Sequence, residues 1–103
     1  MKRVVVRYKL KPDHAEENIA YIQKVFQELA DSAPDGIRYA SFRLDGGLRF
    51  VHFASIETDD GTNPLAGIHS FRDFSSHIAD RCDEPPIATE LETVGSYRVF
   101  ECP

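Results

Sequence analysis

Ile37-Arg38-Tyr39-Ala40-Ser41-Phe42-Arg43-Leu44-Asp45-Gly46-Gly47-Leu48-Arg49-Phe50-Val51-His52-Phe53-Ala54-Ser55-Ile56-Glu57 is the stretch on which the fold turns. Side-chain character alternates with period two on both sides of Asp45-Gly46-Gly47, a turn signal that closes a β-hairpin. In the second arm Leu48, Phe50, His52, Ala54 and Ile56 share one side, and Arg49, Val51, Phe53, Ser55 and Glu57 share the other. Each side carries large apolar groups, so this strand is expected to be covered on both faces.

Upstream, Val4, Val6, Tyr8 and Leu10 alternate with Arg3, Val5, Arg7 and Lys9, which reads as a first strand. Asp13-His14-Ala15-Glu16 has the form of a capping box. Beyond it Ala15, Ile19, Ile22, Phe26, Leu29 and Ala33 recur at helical spacing, and Pro34 with Asp35-Gly36 stops the helix near Ala33. Downstream, Thr58 to Asn63 is polar and loop-like, and Asn63-Pro64 opens a short helical turn. Ser70-Phe71-Arg72-Asp73 repeats the capping pattern, and the second helix is expected to reach about Cys82 with Phe71, Phe74, Ile78 and Cys82 inward. Pro85-Pro86 breaks it, Ile87, Leu91 and Val94 suggest one more helical stretch, and Ser96 to Glu101 reads as the last strand. The fold class is thus α+β, in the order strand, helix, strand, strand, helix, strand: a four-stranded antiparallel sheet with both helices on one face. The open face has no evident cover in so short a chain, so a second copy is expected there.

The 103 residues imply one domain, 1–103, that buries roughly two thirds of its unfolded surface. Twelve basic residues against 17 acidic ones give a net charge of −5, the wrong sign for a phosphate-backbone or anionic-membrane partner. No apolar run is long enough to span a membrane and no signal peptide is spelled at the start, so a cytoplasmic location is expected. Cys82 and Cys102 form no CxxC pair and are expected as free thiols. The four histidines show no HxH, HxxxH or HExxH spacing, so no metal site is expected.

RNA-recognition domains share this element order. Gly47-Leu48-Arg49-Phe50-Val51-His52-Phe53 matches the Gly and the Phe-Val-x-Phe end of their signature, but Gly46 stands in place of its basic residue, Leu48 in place of a stacking aromatic, and Arg49 in place of a small residue. Nucleic acid is therefore not an expected partner.

The element order, the opening VVVRYKLKPDHAEE, the two-sided hairpin and the stretch FRDFSSHIADR together resemble the dimeric α/β-barrel superfamily, ferredoxin-like in topology, and within it the antibiotic-biosynthesis-monooxygenase-like branch. The resemblance runs from about Val4 to Phe100. It implies a homodimer with sheets packed face to face and, in each subunit, a pocket between sheet and helices for a hydrophobic or aromatic small molecule. It further implies either cofactor-independent oxygenation or a related proton transfer, or a non-catalytic binding role on the same fold. Members of this superfamily often carry a His near the position of His77, which singles it out as a candidate acid, base or ligand. On a helical wheel His77 stands about 100° from the apolar centre, a boundary position equally suited to a surface His paired with Asp73 or Arg81. The haem-degrading members look for an Asn on the first strand, a Trp and a His; this chain has Val4, Val6 and Tyr8 there and no Trp.

From the residues themselves, His52 lies on the Phe50 and Ala54 side of its strand. With Tyr39 and Tyr8 it would offer an imidazole and phenols to a small aromatic ligand, which suits proton abstraction from a phenol. Tyr8, Phe50, Phe74 and Arg43, which shares a face with Tyr39, are the expected ligand-binding residues, and His77, His52 and Tyr39 the expected catalytic ones.

Overall fold

The computed structural model describes residues 1–100; Glu101, Cys102 and Pro103 lie outside the described residues. The elements run β1 (Lys2–Leu10), α1 (Ala15–Ser32), β2 (Ile37–Arg43), β3 (Arg49–Ile56), α2 (His69–His77) and β4 (Cys82–Leu91), with 3₁₀ turns at Pro64–Gly67 and Ala79–Arg81. All pairings are antiparallel, in the order β2-β3-β1-β4, so this is the expected α+β, ferredoxin-like βαββαβ arrangement.

The β2–β3 turn forms as its residues dictate. Asp45 and Gly46 both take positive φ, 51° and 65°, and Gly47 N–H donates to the Leu44 carbonyl at 2.9 Å. Two left-handed central residues match the strand twist, and Gly is the residue that adopts that region without strain. The pairing of β1 with β3 sets Val6 opposite His52 and Tyr8 opposite Phe50. These side chains face the helices, and the core gathers Tyr8, Leu10 and Phe50 from the sheet with Ala15 and Val25 from α1 and Phe74 and Ile78 from α2 and the turn after it.

Helix boundaries depart from the capping patterns. The N-cap of α1 is His14, with no side-chain cap bond, because Asp13 adopts φ 69° and is turned out of the cap position. The α1 stripe is also shifted: Asn18 and Val25 are buried at its centre, Ile19, Ile22, Phe26 and Leu29 flank it, and Ala33 is the exposed left-handed C-cap, its N–H on the Leu29 carbonyl. For α2 the cap comes from outside the helix. Glu28 of α1 accepts from the backbone N–H groups of His69 and Ser70 at 3.0 and 2.9 Å and from Ser70 Oγ at 2.8 Å. Those bonds, with Ser70 dominant, hold the Glu28 carboxyl below its ordinary pKa and tie the two helices together.

Three further expectations are corrected. The second helix ends at His77 and passes into the Ala79–Arg81 turn instead of reaching Cys82. The segment read as a proline break and a further helical stretch is β4, so Ser96 to Phe100, with Tyr97 and Arg98, form no strand; Glu101 lies outside the described residues. The prolines fit a strand because β4 is an edge that pairs with β1 alone. The register slips between Arg7↔Ile87 and Lys9↔Glu84, setting Pro85 and Pro86 against the single residue Tyr8. A bulge on an edge is where a missing N–H leaves no ladder bond unmade.

Because β4 comes early, residues after Leu91 can return over the sheet's open face. Arg3 donates to Thr93 Oγ1 at 2.6 Å and lies 3.7 Å over the Phe100 ring, which packs on Phe53 at 6.1 Å. The chain therefore covers part of the face expected to need a second copy, while Phe42, Ile87 and Leu91 on that face remain exposed.

Candidate functional site

Between the helix-facing side of the sheet and α2 lies a cavity of about 390 Å³. Strand alternation supplies Val4, Val6 and Tyr8 from β1, Tyr39 from β2, and His52, Ala54 and Ile56 from β3; Phe71 and Phe74 come from α2, with Leu65, Ile78 and Pro86. Exposed Lys2, Asn63 and Ser75 complete the lining. Apart from those three the walls are apolar except at one buried polar end, the usual form of a site that buries a hydrophobic ligand and orients it by few groups.

That polar end is a cluster around His52. Tyr8 Oη lies 2.7 Å from His52 Nε2; Tyr39 Oη and Ser41 Oγ lie 2.7 and 2.9 Å from Nδ1. Asn18 Nδ2 donates to Tyr8 Oη at 2.8 Å, and Asn18 Oδ1 accepts from Arg81 Nη2 and Nε at 3.1 and 3.3 Å. Arg81 is 2% exposed and Asn18 is 0% exposed, so a guanidinium is buried at the far end of the chain of bonds. Its plane lies 4.3 Å from the Tyr21 ring centroid and 5.5 Å from that of Phe74, and no carboxylate pairs with it among the described residues. Aromatic faces offset part of the desolvation that such a charge suffers.

Burial sets the proton affinities. It lowers His52 to about 4, pushes Tyr39 up to about 12 against the opposing hydrogen bond of Ser41, and raises Tyr8 above the ordinary tyrosine range. All three groups are neutral at pH 7. Cys82, buried and free, is likewise raised by burial. Among the described residues no group of three His, Cys, Asp or Glu side chains could hold a metal ion, and no helix is long and apolar enough to cross a membrane.

Of the residues singled out in the sequence, the structure brings His52, Tyr39, Tyr8 and Phe74 together on the cavity. Phe50 sits just behind it, stacked on Tyr8 with centroids 5.8 Å apart. Arg43 lies at the exposed end of β2, its Nε on the Gly47 carbonyl at 2.8 Å. His77 is the last residue of α2, its side chain 53% exposed, 3.9 Å from Asp73 and outside the cavity wall. Asn18, Ser41 and Arg81 were not anticipated. Asn18 had a readable signal, the one amide in the otherwise apolar stripe Ala15, Asn18, Ile22 and Val25; Arg81 had none, since a lone Arg after a helix is ordinarily solvated.

No protein-family model matches the chain, and no curated protein matches it in sequence. Solved structures do match. Rv0793 from Mycobacterium tuberculosis superposes with a TM-score of 0.72 at 18% identity, over 92% of this chain and 96% of that one. A Nitrosomonas europaea protein provisionally named an antibiotic biosynthesis monooxygenase gives 0.72 at 17% identity, over 92% and 100%. The chain has the antibiotic-biosynthesis-monooxygenase-like fold. A Caulobacter crescentus protein with the same provisional name gives 0.71 at 17% identity, over 91% and 90% of the two chains. What is shared at such identities is the antibiotic-biosynthesis-monooxygenase-like backbone; the side chains of the cavity are this chain's own.

Proposed function

We propose that this protein is a homodimer that binds a hydrophobic aromatic small molecule in the cavity under α2 and oxidises it with dioxygen, without a cofactor. The observation that carries the reading is the cavity itself, apolar over most of its wall, with a buried polar end at Tyr39 and His52 and exposed polar groups only at Lys2, Asn63 and Ser75. The names of the structural neighbours, antibiotic biosynthesis monooxygenases, support the same reaction class.

The chemistry fits a fused aromatic ketone with an acidic methylene. A methylene proton passes to a solvent base, giving a carbanion delocalised onto the carbonyl oxygen; its electron pair passes to dioxygen, a C–O bond forms, the peroxide anion takes a proton back from solvent, and the hydroperoxide loses water to leave a new carbonyl. One dioxygen is consumed and one water released per quinone. The protein's part is to exclude bulk water and to hold the substrate oxygen at Tyr39, where developing negative charge gains a hydrogen bond. Anthrone is a suitable probe. The protein is expected to accelerate anthraquinone formation in air, with one dioxygen consumed per product, and Tyr39→Phe to lose about tenfold or more of that acceleration. A second reading, sequestration without turnover, is favoured by one observation: both ring nitrogens of His52 are already bonded to protein groups. Saturable anthrone binding with no acceleration would select it.

The dimer reading rests on Phe42, Ile87 and Leu91, exposed on the sheet face away from the helices, Phe42 on one edge strand and Ile87 and Leu91 on the other. Apolar groups so placed are expected to be buried against a second copy. Sedimentation at micromolar concentration should give twice the chain mass, and Ile87→Asp should shift it to the monomer. A monomeric wild-type protein refutes the assembly.

A further inference from the structure

We propose that buried Arg81, acting through Asn18, fixes the direction of every hydrogen bond in the chain that ends at the cavity, and so makes the Tyr39 phenol a donor reserved for a ligand's acceptor oxygen, of the aryl ketone or quinone class. The ligand class rests on the cavity reading above; the direction of the chain does not.

The direction follows from counting hydrogens. Arg81 has donors only, so the Asn18 atom that meets Nη2 and Nε is the carbonyl Oδ1. The amide nitrogen must then face Tyr8, and it donates to Oη at 2.8 Å. Tyr8 has one hydrogen to give, and His52 Nε2 stands 2.7 Å from its oxygen. Were Nε2 protonated instead, the phenol hydrogen of Tyr8, a residue 4% exposed, would be left in the core without an acceptor. Nε2 is therefore the lone-pair nitrogen, and the single ring proton sits on Nδ1.

Around Nδ1 stand Tyr39 Oη and Ser41 Oγ at 2.7 and 2.9 Å. The three groups hold three hydrogens, while Nδ1 accepts none. The ring N–H goes to one oxygen, one hydroxyl serves the other, and one hydroxyl hydrogen is left over. Ser41 is the hydroxyl that hydrogen-bonds to the Tyr39 oxygen, and Tyr39, not Ser41, lines the cavity, so the surplus hydrogen is the Tyr39 O–H, directed at whatever occupies the cavity. A ligand that presents an acceptor oxygen completes the chain; one that presents only C–H groups leaves a buried donor unpaired. Arg81 and Asn18 touch no ligand and are positioning residues. The guanidinium is held for this task by the faces of Tyr21 and Phe74.

Asn18→Asp tests the direction with almost no change of shape. A carboxylate pairs with Arg81 and turns a second acceptor toward Tyr8, so the Tyr8 phenol must now donate to residue 18. His52 is then expected to move its proton to Nε2, and Tyr39 to donate to Nδ1 instead of to the cavity. In the free protein, nitrogen NMR of labelled histidine should show His52 protonated on Nδ1 in the wild type and on Nε2 in Asn18→Asp. A wild-type Nε2 proton, or an unchanged tautomer in the variant, overturns the proposal. For the ligand arm the probes are 9-fluorenone and fluorene, alike in shape but for the carbonyl. Wild type should bind fluorenone about tenfold more tightly than fluorene, with the carbonyl stretch lowered in frequency, and Asn18→Asp and Tyr39→Phe should each remove that preference and that shift. Equal binding of the two probes by the wild type overturns the ligand class. Binding of neither overturns the cavity reading and the ligand class with it, while the tautomer pair still decides the direction of the chain.

Discussion

Lowering the pH from 7 to about 4 is expected to remove about 3 kcal/mol of stability through His52 alone. Burial depresses the folded-state pKa of His52 to about 4 from an ordinary value of 6.5. A depressed histidine is neutral when folded, so between those two values the unfolded chain binds the extra proton and acid favours unfolding. The contribution is complete above pH 6.5, declines as pH falls toward 4, and does not change further below it. The groups facing the ring are Tyr8, Tyr39, Ser41 and Phe74, none of which is anionic at these pH values, so nothing compensates an imidazolium. Glu28, Glu57 and Asp60, all held below their ordinary pKa values by hydrogen bonds, also lose stability on acidification, but from about pH 4.5 downward. The interval from pH 6.5 to 5 therefore separates His52 from them, and within it the loss is about 2 kcal/mol, worth roughly 8–16 °C in Tm for a domain of this size. His52→Gln has no imidazole to titrate, and its Tm should be nearly flat over that interval. A variant whose Tm falls in parallel with the wild type would show that the buried imidazole is not the source.

Much of the architecture could be read from side-chain alternation, because it records which face of a strand is dry. Alternation along β1, β2 and β3 pointed to Tyr8, Tyr39 and His52 as one group, and the Asp45-Gly46-Gly47 turn set the register of the Tyr39 strand against the His52 strand, so three members of the polar cluster were legible in the sequence. β4 was hidden because Pro85-Pro86 ends helices and interrupts central strands; only an edge with a bulge accommodates the pair, and edge position is a property of the whole sheet. His77 stood at a helical-wheel boundary, and a wheel cannot tell whether the helix continues; α2 stops at that residue, and its ring lies half exposed, 6.2 Å from the Tyr21 ring and away from the cavity. The rest of the site was hidden for a different reason. Asn18 and Arg81 are 63 positions apart, and a buried guanidinium without a carboxylate looks, in sequence, like any surface arginine.

Of the groups in the cluster, Tyr8 carries the most neighbours that have no alternative partner, and Tyr8→Phe is expected to cost about 3 kcal/mol. The substitution keeps the ring, its stacking on Phe50 and its shape in the core, and removes one oxygen. That oxygen accepts from Asn18 Nδ2 and donates to His52 Nε2, at 2.8 and 2.7 Å, so two buried polar atoms lose their partners together. Each orphaned atom costs about 1–3 kcal/mol, and the gain from one less buried hydroxyl offsets part of the sum. An exposed phenol offers the control: Tyr97 is 78% exposed, and Tyr97→Phe should change stability by less than about 0.5 kcal/mol. The coupling between Asn18 and Tyr8 can be isolated by a double-mutant cycle with Asn18→Leu. Once Asn18 has no amide to satisfy, removing the Tyr8 hydroxyl should cost about 1 kcal/mol less than it does in the wild type. Urea unfolding at pH 7 measures all four corners. Additive effects would mean that the Asn18–Tyr8 bond contributes nothing to stability, and a cost near zero for Tyr8→Phe itself would mean that water enters and satisfies both atoms, leaving the cluster wet instead of sealed.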